Sequence, residues 1–260
     1  MLHDLTYYIT YILLFSLFLT GCSDQNSITP EDRDYDEISL LAVHPVDFSD
    51  PSALALDPSG EYLWSVSDDP GGGIYRIDFQ GKILEHIPME SNDLEGIIVD
   101  PGDNTLWVVE EKLRQLVNIS RTGNELSRVQ LNIDGDGLND GPEGITVDPK
   151  TGHFYVVNKK NPRQLHELNP NMEIINTTDL NFSGIFEIED MSGITFNSDE
   201  NNLWIVSDSS EKVIVIDMNR KPVKAYNTGV FDGEGIAIDP SLRILYVVSD
   251  TDKLLYVFNY

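Results

Sequence analysis

The sequence predicts an all-β protein, a five-bladed β-propeller of four-stranded blades. One block of eight residues recurs five times, at intervals of 43, 48, 49 and 42 residues. The copies begin at Pro51, Leu94, Pro142, Met191 and Gly233. Repeats of this length, each with several short strand-like runs, are typical of propeller blades.

Each copy carries a turn residue and, seven positions later, an aromatic residue. The turn residues are Asp57, Asp100, Asp148, Asn197 and Asp239, and Asx side chains suit turns because they bond the nearby backbone. The aromatic residues are Trp64, Trp107, Tyr155, Trp204 and Tyr246. They fall in the most apolar strand of each copy, so we expect them to pack between sheets rather than around a ligand.

Four strand-like runs fit within each of the first four copies; in the second they span 96–99, 105–109, 115–120 and 125–131. The fifth copy has only three, and its last run ends at Phe258. The run 38–43 precedes the first copy and would supply the missing strand, closing the ring without an open edge. Six blades would need a copy that the sequence does not contain.

The chain divides into three segments. Residues 7–20 are nearly all apolar but fall short of the about 20 residues of a membrane span, so we expect residues 1–21 to be a signal peptide. Residues 22–37 are polar and acidic and are predicted to be a disordered tether. Residues 38–260 are predicted to form the propeller.

The signal peptide ends in Leu19-Thr20-Gly21-Cys22, which resembles the lipobox of bacterial lipoproteins and implies a lipid on Cys22. Residues 1–4 depart from that pattern because they contain no Lys or Arg. An uncleaved anchor and an ordinary signal peptide are the alternatives. Ser23 follows the cysteine, as in lipoproteins sorted to the outer membrane, so we expect anchoring in the bacterial cell envelope, at the outer rather than the inner membrane.

Charge narrows the range of partners. The formal net charge is −27, which should repel nucleic acid and attract cations. The only cysteine is Cys22, so no intrachain disulfide can form. The five histidines are scattered and suggest no zinc site.

Polar residues recur where the first strand of each copy begins, at Ser52, Glu95, Glu143, Ser192 and Glu234. First strands line the central channel of a propeller, so these side chains should meet. Carboxylates at close range need protons or a cation, and a set of oxygen ligands suits calcium. The sequence therefore predicts a Ca²⁺ site at Glu95, Glu143 and Glu234, and the alternative is that these residues only cap turns.

Two further acidic elements are expected on the same face. The ends of the second strands would add a metal or ligand rim of Asp68, Glu110, Asn158, Asp208 and Asp250. Asp134, Asp136 and Asp140 resemble the start of a calcium loop but lack the glutamate at position 12, so they form either a calcium-binding turn or a flexible acidic loop. The basic residues near these strand ends are Lys112, Arg114, Lys159, Lys160 and Arg163.

The lipobox, the acidic tether, the Asp-x-Glu-Gly-Ile repeats and strands such as Tyr246-Val-Val-Ser-Asp together resemble the SdiA-regulated family of bacterial propellers. The chain is more distantly similar to esterase-like and β-propeller phytases and to calcium-dependent lactonases. The similarity to phytases implies calcium held by Glu95, Glu143 and Glu234. Few cations are available to bind phosphate, however, and no histidine occupies a repeat-equivalent channel position as in the lactonases.

Two functions follow as hypotheses. The first is an envelope-anchored, calcium-binding module that presents its acidic face to a small ligand or a protein. The second is a calcium-dependent hydrolase of an ester, lactone or phosphoester, with one of the three glutamates as general base. The sequence favours the first because no separate acid, base or nucleophile stands out from the repeat.

Overall fold

The computed structural model describes residues 34–91, 93–133, 137 and 140–260. These residues form twenty β-strands in five four-stranded antiparallel sheets, which confirms the predicted five-bladed propeller and leaves no sixth sheet within the described chain. Cys22, the signal peptide, most of the tether, Asp134 and Asp136 lie outside the described residues. No helix in the described ranges is long and apolar enough to cross a membrane.

The strands follow one another in blade order. Strand β1 spans Ser39–Pro45. The first blade contains β2 (Ala55–Leu56), β3 (Leu63–Ser67), β4 (Gly73–Ile77) and β5 (Ile83–Ile87). The second contains β6 (Leu94–Val99), β7 (Leu106–Glu110), β8 (Gln115–Ile119) and β9 (Glu125–Gln130). The third contains β10 (Pro142–Val147), β11 (Phe154–Asn158), β12 (Gln164–Leu168) and β13 (Ile174–Asp179), and a 3₁₀ turn, Gly184–Phe186, follows it. The fourth contains β14 (Gly193–Asn197), β15 (Asn202–Ser207), β16 (Lys212–Asp217) and β17 (Pro222–Asn227), and the fifth contains β18 (Gly233–Asp239), β19 (Ile244–Ser249) and β20 (Leu254–Asn259).

The ring closes through the N-terminal strand, as predicted. Strand β1 pairs antiparallel with β20, with Leu40 opposite Phe258 and Pro45 opposite Leu254. It therefore becomes the outermost strand of the fifth blade. Asp36, inside the predicted tether, already contacts the body: its N–H donates to the Ala225 carbonyl (2.8 Å) and its carboxylate accepts from the Ala225 N–H (2.9 Å).

The hydrophobic core lies between the blades. Five apolar clusters each combine residues of two neighbouring sheets, so every blade is covered on both faces. The second strands β3, β7, β11 and β15 are buried along their whole length for this reason. The repeated aromatics are buried core residues, as predicted; Trp64 and Trp204 also donate their indole N–H to Asp57 and Asn202.

A ring of small residues closes the central channel at mid-height. We call it the glycine plug; it consists of Ala53, Gly96, Gly144, Gly193 and Gly235. A Cβ atom on Gly96 would lie 2.4 Å from the Glu143 carbonyl oxygen, and one on Gly144 would lie 2.6 Å from the Ile194 nitrogen. Neighbouring first strands therefore touch through their backbones, and the space left among them is about 10 Å³, enough for one water molecule at most. The plug divides the channel into two separate mouths.

Candidate metal centre

The first mouth is a polar cavity of about 130 Å³, which we call the acidic mouth. It is lined by Ser52, Asp68, Asp93, Glu95, Glu111, Lys112, Glu143, Lys159, Glu234 and Asp250. These described lining residues comprise seven carboxylates, two lysines and one serine, with no aromatic or aliphatic side chain. The cavity volume corresponds to about four water molecules at liquid density.

The three predicted glutamates reach this cavity from β-bulges. The strand register shifts between Leu94 and Gly96, between Pro142 and Ile145, and between Gly233 and Gly235, so a glutamate lies in each bulge. A bulge inserts an extra residue and re-aims its side chain. The structure thus brings Glu95, Glu143 and Glu234 together at the start of three first strands, as the sequence predicted.

The residue directly after the second strand lines the acidic mouth in four of the five blades. In four blades the backbone N–H of this residue donates to a carbonyl in the loop that precedes the first strand of the same blade. Examples are the bonds from Asp68 to Asp50 (3.1 Å) and from Lys159 to Gly141 (2.9 Å). Equivalent positions in the five blades carry Asp68, Glu111, Lys159, Asp208 and Asp250. Four carboxylates and one lysine therefore occupy the same place in the repeat.

Glu110 and Asn158, which the sequence placed on the rim, lie one position too early. Each is the last residue of its strand and is buried. Glu110 forms an ion pair with Arg128, and the Asn158 amide donates to the Pro162 carbonyl (2.7 Å). Glu111 and Lys159 line the mouth instead. Their equivalence to Asp68 and Asp250 was visible in the aligned copies and is the signal that would have identified them.

The aspartates two positions before Glu95, Ser192 and Glu234 also support the neighbouring loops. Asp190 accepts hydrogen bonds from the Ser207 hydroxyl (2.6 Å) and from the Ser209 N–H. Asp232 accepts from the Thr251 N–H (3.3 Å), and Asp93 from the Lys112 N–H. These side chains hold the loops that follow the second strands, so part of the repeated acidity does cap turns.

The glutamates of the mouth are buried and incompletely satisfied. Lys159 Nζ lies 3.3 Å from Glu143 Oε1 and 3.8 Å from Glu234 Oε1. The second carboxylate oxygen of each, Oε2, is buried and has no hydrogen-bond partner among the described residues. Glu143 is 1% and Glu234 9% exposed. Buried polar atoms are almost always paired, so these two oxygens call for a proton, a water molecule or a cation as partner.

Burial and mutual repulsion raise the pKa of five carboxyl groups of the acidic mouth. Burial, together with neighbouring carboxylates, raises the pKa of Glu95 and of Glu143 well above the usual range and that of Glu234 to about 7. Burial also raises the pKa of Asp68 to about 6 and that of Asp250 to about 7. Without a cation, these groups hold their protons to higher pH than free carboxyl groups do.

The lysine is the cluster's own counter-ion. Burial opposes its charge, but Glu143, Glu234 and Glu95 outweigh burial and hold the pKa of Lys159 above its ordinary value. Lys159 is therefore ionised at all physiological pH values and neutralises one of the negative charges around it.

The donor set fits a hard divalent cation. Three groups of carboxylates offer oxygens that lie within 4.8 Å of one another: Asp68, Asp93 and Glu95; Glu95, Glu111 and Glu143; and Asp208, Asp232 and Glu234. Oxygens on opposite sides of a calcium ion are about 5 Å apart, since each lies 2.3–2.6 Å from the metal. The all-oxygen character of these groups suits Ca²⁺ and not zinc.

The acidic loop ends outside this cavity. Asp140 accepts a hydrogen bond from the Asn161 amide (3.3 Å) and is not among the residues that line the acidic mouth. Asp208 belongs to the third carboxylate group, next to Glu234, and burial raises its pKa to about 6.

Solved structures share the fold at low sequence identity. Virginiamycin B lyase from Staphylococcus aureus matches with 18% identity and a TM-score of 0.51, over 81% of this chain and 66% of the lyase, so the chain spans just under two thirds of the lyase's length. A chain of a nidogen/laminin complex matches with 15% identity and a TM-score of 0.54, over 76% of this chain and 72% of its own length. The Cps50 (Swd1) β-propeller domain of Myceliophteria thermophila matches with 8% identity and a TM-score of 0.53, over 86% of this chain and all of the domain.

These three structures include an enzyme and binding proteins, so they show the fold and not the activity. The sequence itself gives the narrower relationship. A model of the SdiA-regulated family matches residues 36–259, which is almost the entire described chain. The chain belongs to the SdiA-regulated family.

Proposed function

We propose that the acidic mouth binds Ca²⁺ and that the protein is a binding module of the bacterial cell envelope, which presents this ion to a small ligand or a protein. The observation that carries the proposal is the pair of buried, unpartnered oxygens of Glu143 and Glu234, both at a cavity lined by five further carboxylates. A divalent cation beside Glu143 would give its free oxygen a partner and reduce the repulsion among the carboxylates; Glu234 belongs to a separate carboxylate group that could hold a second ion.

The group of Glu95, Glu111 and Glu143 is the best candidate for the ion. All three residues are buried, and the Gly141 N–H already orients Glu111 by donating to its Oε1 (2.9 Å). Gly141 also leaves room for this carboxylate, because a Cβ there would lie 2.7 Å from Glu111 Cγ. Lys159 contacts Oε1 of Glu143 and leaves Oε2 without a partner, so an ion bound through Oε2 need not displace the lysine.

An organic cation fits the cavity less well than a metal ion. Sites for quaternary ammonium groups use aromatic faces, and none of the described lining residues is aromatic. The seven carboxylates exceed the two lysines by five charges when all are ionised, which favours a compact divalent ion that keeps some of its water.

The anchoring is part of the same proposal and rests on the sequence. A lipid on Cys22 would tether the propeller to the membrane, with the outer membrane as the expected location. The net charge of −27 supports a cationic or neutral partner and argues against nucleic acid.

A second candidate function is hydrolysis, and one observation favours it. Carboxyl groups whose pKa lies near neutral pH and which sit in a cleft are typical of catalytic acids and bases. Glu234, with a pKa of about 7, could donate or accept a proton in this role. Bound calcium would polarise a substrate oxygen, and Lys159 would attract an anionic one.

Isothermal titration calorimetry tests the proposal. Purified full-length protein, stripped with EDTA, should bind Ca²⁺ saturably and more tightly than Mg²⁺. The Glu143→Gln variant should bind at least about tenfold more weakly, because a neutral amide replaces a buried charged ligand. Glu61→Gln, a change at an exposed residue outside the mouth, is the matched control. Equal calcium binding by both variants, or no binding by the unmodified protein, would refute the site.

A further inference from the structure

The second mouth of the channel lies across the glycine plug from the first and is a cavity of about 480 Å³. We call it the apolar mouth. Its wall includes Leu56, Ile98, Val147, Phe196 and Ile238, one from each blade. Its volume falls within the range of about 300–1,000 Å³ that is usual for small-molecule sites.

Across the described residues, the wall carries no cationic group and few charges of any kind. Among the described lining residues there is no lysine, arginine or glutamate, and there are only two aspartates. Asp57 accepts hydrogen bonds from the Ser59 N–H (3.0 Å), the Trp64 indole (3.0 Å) and Arg121 (2.6 Å). Asp239 accepts from the N–H groups of Ser241 (3.0 Å) and Leu242 (3.2 Å). Both carboxylates are committed to the turns that follow their own strands.

The low number of charged side chains at the apolar mouth contrasts with the rest of the molecule. The chain has 44 acidic residues in 260, and seven of the ten residues at the acidic mouth are carboxylates. The described residues that line the apolar mouth are mostly aliphatic residues, prolines, serines and threonines, with two aspartates among them. The two ends of one axis are therefore built for opposite chemistry, and the plug keeps them apart.

The apolar mouth is also asymmetric. At one height the five first strands carry Ala55, Ile98, Thr146, Thr195 and Ala237, and all of these but Ala237 line the cavity. The two threonines line the cavity and come from neighbouring blades, so at this height its hydroxyl groups lie on one side; the other polar lining side chains lie farther along the chain, at the turns. An apolar cavity with a few polar groups on one side can orient an asymmetric ligand.

We infer that the apolar mouth is a second ligand site, for a small, uncharged and mainly apolar molecule with one polar end. The aliphatic wall and Phe196 would bury the apolar part, and Thr146 and Thr195 would meet the polar end. An anionic ligand would lose its hydration there without gaining a cationic partner, because no lysine or arginine is among the described lining residues. The inference is independent of calcium at the acidic mouth.

Two dyes that share a scaffold test this selectivity. N-Phenyl-1-naphthylamine is neutral, and 1-anilinonaphthalene-8-sulfonate adds a sulfonate to nearly the same ring system. In about 1 M NaCl, which screens the negative charge of the protein, the neutral dye should give a saturable rise in fluorescence with one site per chain. The sulfonate should bind at least about tenfold more weakly, because its charge must be desolvated. No saturable signal, or equal affinity for both dyes, would overturn the inference.

Substitutions locate the dye. Ile98→Arg places a charge in the wall and should weaken binding of the neutral dye by about tenfold or more. Leu242→Arg is the control, since Leu242 is 65% exposed near the same mouth and does not line the cavity. Thr195→Phe fills the cavity without a charge and carries the test if Ile98→Arg does not fold, as judged by thermal unfolding.

Glu143→Gln should leave dye binding unchanged, with or without calcium. If Thr195→Phe leaves dye binding intact, or if Glu143→Gln abolishes it, the dye lies elsewhere. Either result would overturn the inference.

Discussion

Replacing Lys159 by methionine separates the two roles that the structure gives this residue. Methionine keeps much of the length and volume of the side chain but removes the ammonium group. In metal-free protein, Glu143 and Glu234 then lose the cation that lies 3.3 and 3.8 Å from their oxygens. With calcium present, one more carboxylate charge of the mouth lacks a counter-ion and can attract the calcium ion. Stability should therefore fall without calcium, while the stabilisation by calcium should grow.

The size of the first effect follows from these distances. At an effective dielectric constant of about 20, one charge pair at such a separation interacts by roughly 4–5 kcal/mol. Desolvation offsets part of this gain, and breaking a buried ion pair typically costs about 3–5 kcal/mol. For a domain of this size, about 3 kcal/mol corresponds to a fall in Tm of roughly 10 °C.

Differential scanning calorimetry in EDTA and in excess Ca²⁺ measures both effects. Lys160→Met is the matched control, because Lys160 is the next residue and does not line the acidic mouth. The calcium-induced rise in Tm should be larger for Lys159→Met than for the unmodified protein. If Lys159→Met melts at the same temperature as Lys160→Met in EDTA and responds equally to calcium, Lys159 is not the counter-ion of this cluster.

Three further predictions concern the proton balance, the plug and the closure of the ring. The pKa of Glu234 is raised to about 7, so between about pH 4.5 and 7 the folded protein in EDTA holds a proton that the unfolded chain has released. The free energy of unfolding, measured by urea titration, should therefore fall as the pH rises through this range. Calcium should make this decrease smaller. Gly144→Ala should destabilise the fold by about 1–3 kcal/mol in chemical denaturation, since its Cβ would lie 2.6 Å from the Ile194 nitrogen, whereas Gly102→Ala, in an exposed turn, should have little effect. Deleting residues 34–45 should lower Tm strongly and increase aggregation measured by light scattering, because β20 would become an open edge; an unchanged Tm would argue against closure by β1.

The repeat made most of the fold predictable. Five copies gave five blades, and the missing strand of the last copy pointed to β1 as its partner. Equivalent positions in a ring converge on its axis, so Glu95, Glu143 and Glu234 could be expected to meet before any coordinates were known.

Side-chain direction at the strand ends was harder to predict. Counting alternate residues fails where the register shifts, and the three glutamates lie in such bulges. The rim prediction therefore mixed two neighbouring positions and included Glu110 and Asn158, which turn into their blades. Aligning the copies by the residue after each second strand would have found Glu111 and Lys159.

The apolar mouth could not have been found from the repeat motif alone. Its character depends on what the Asp-Pro turns do with their carboxylates. The sequence shows Asp57 and Asp239 as two charges at strand ends, whereas the structure shows both engaged by neighbouring N–H groups.

A crystal structure of the protein grown with calcium tests the central claim most directly. The account predicts an ion with oxygens of Glu95, Glu111 and Glu143 at about 2.3–2.6 Å, and Lys159 still beside Glu143 and Glu234. The proposal would be contradicted if, at saturating calcium, only water lay among these three glutamates and their positions were unchanged. The cluster would then be a protonated, structural feature of the propeller axis.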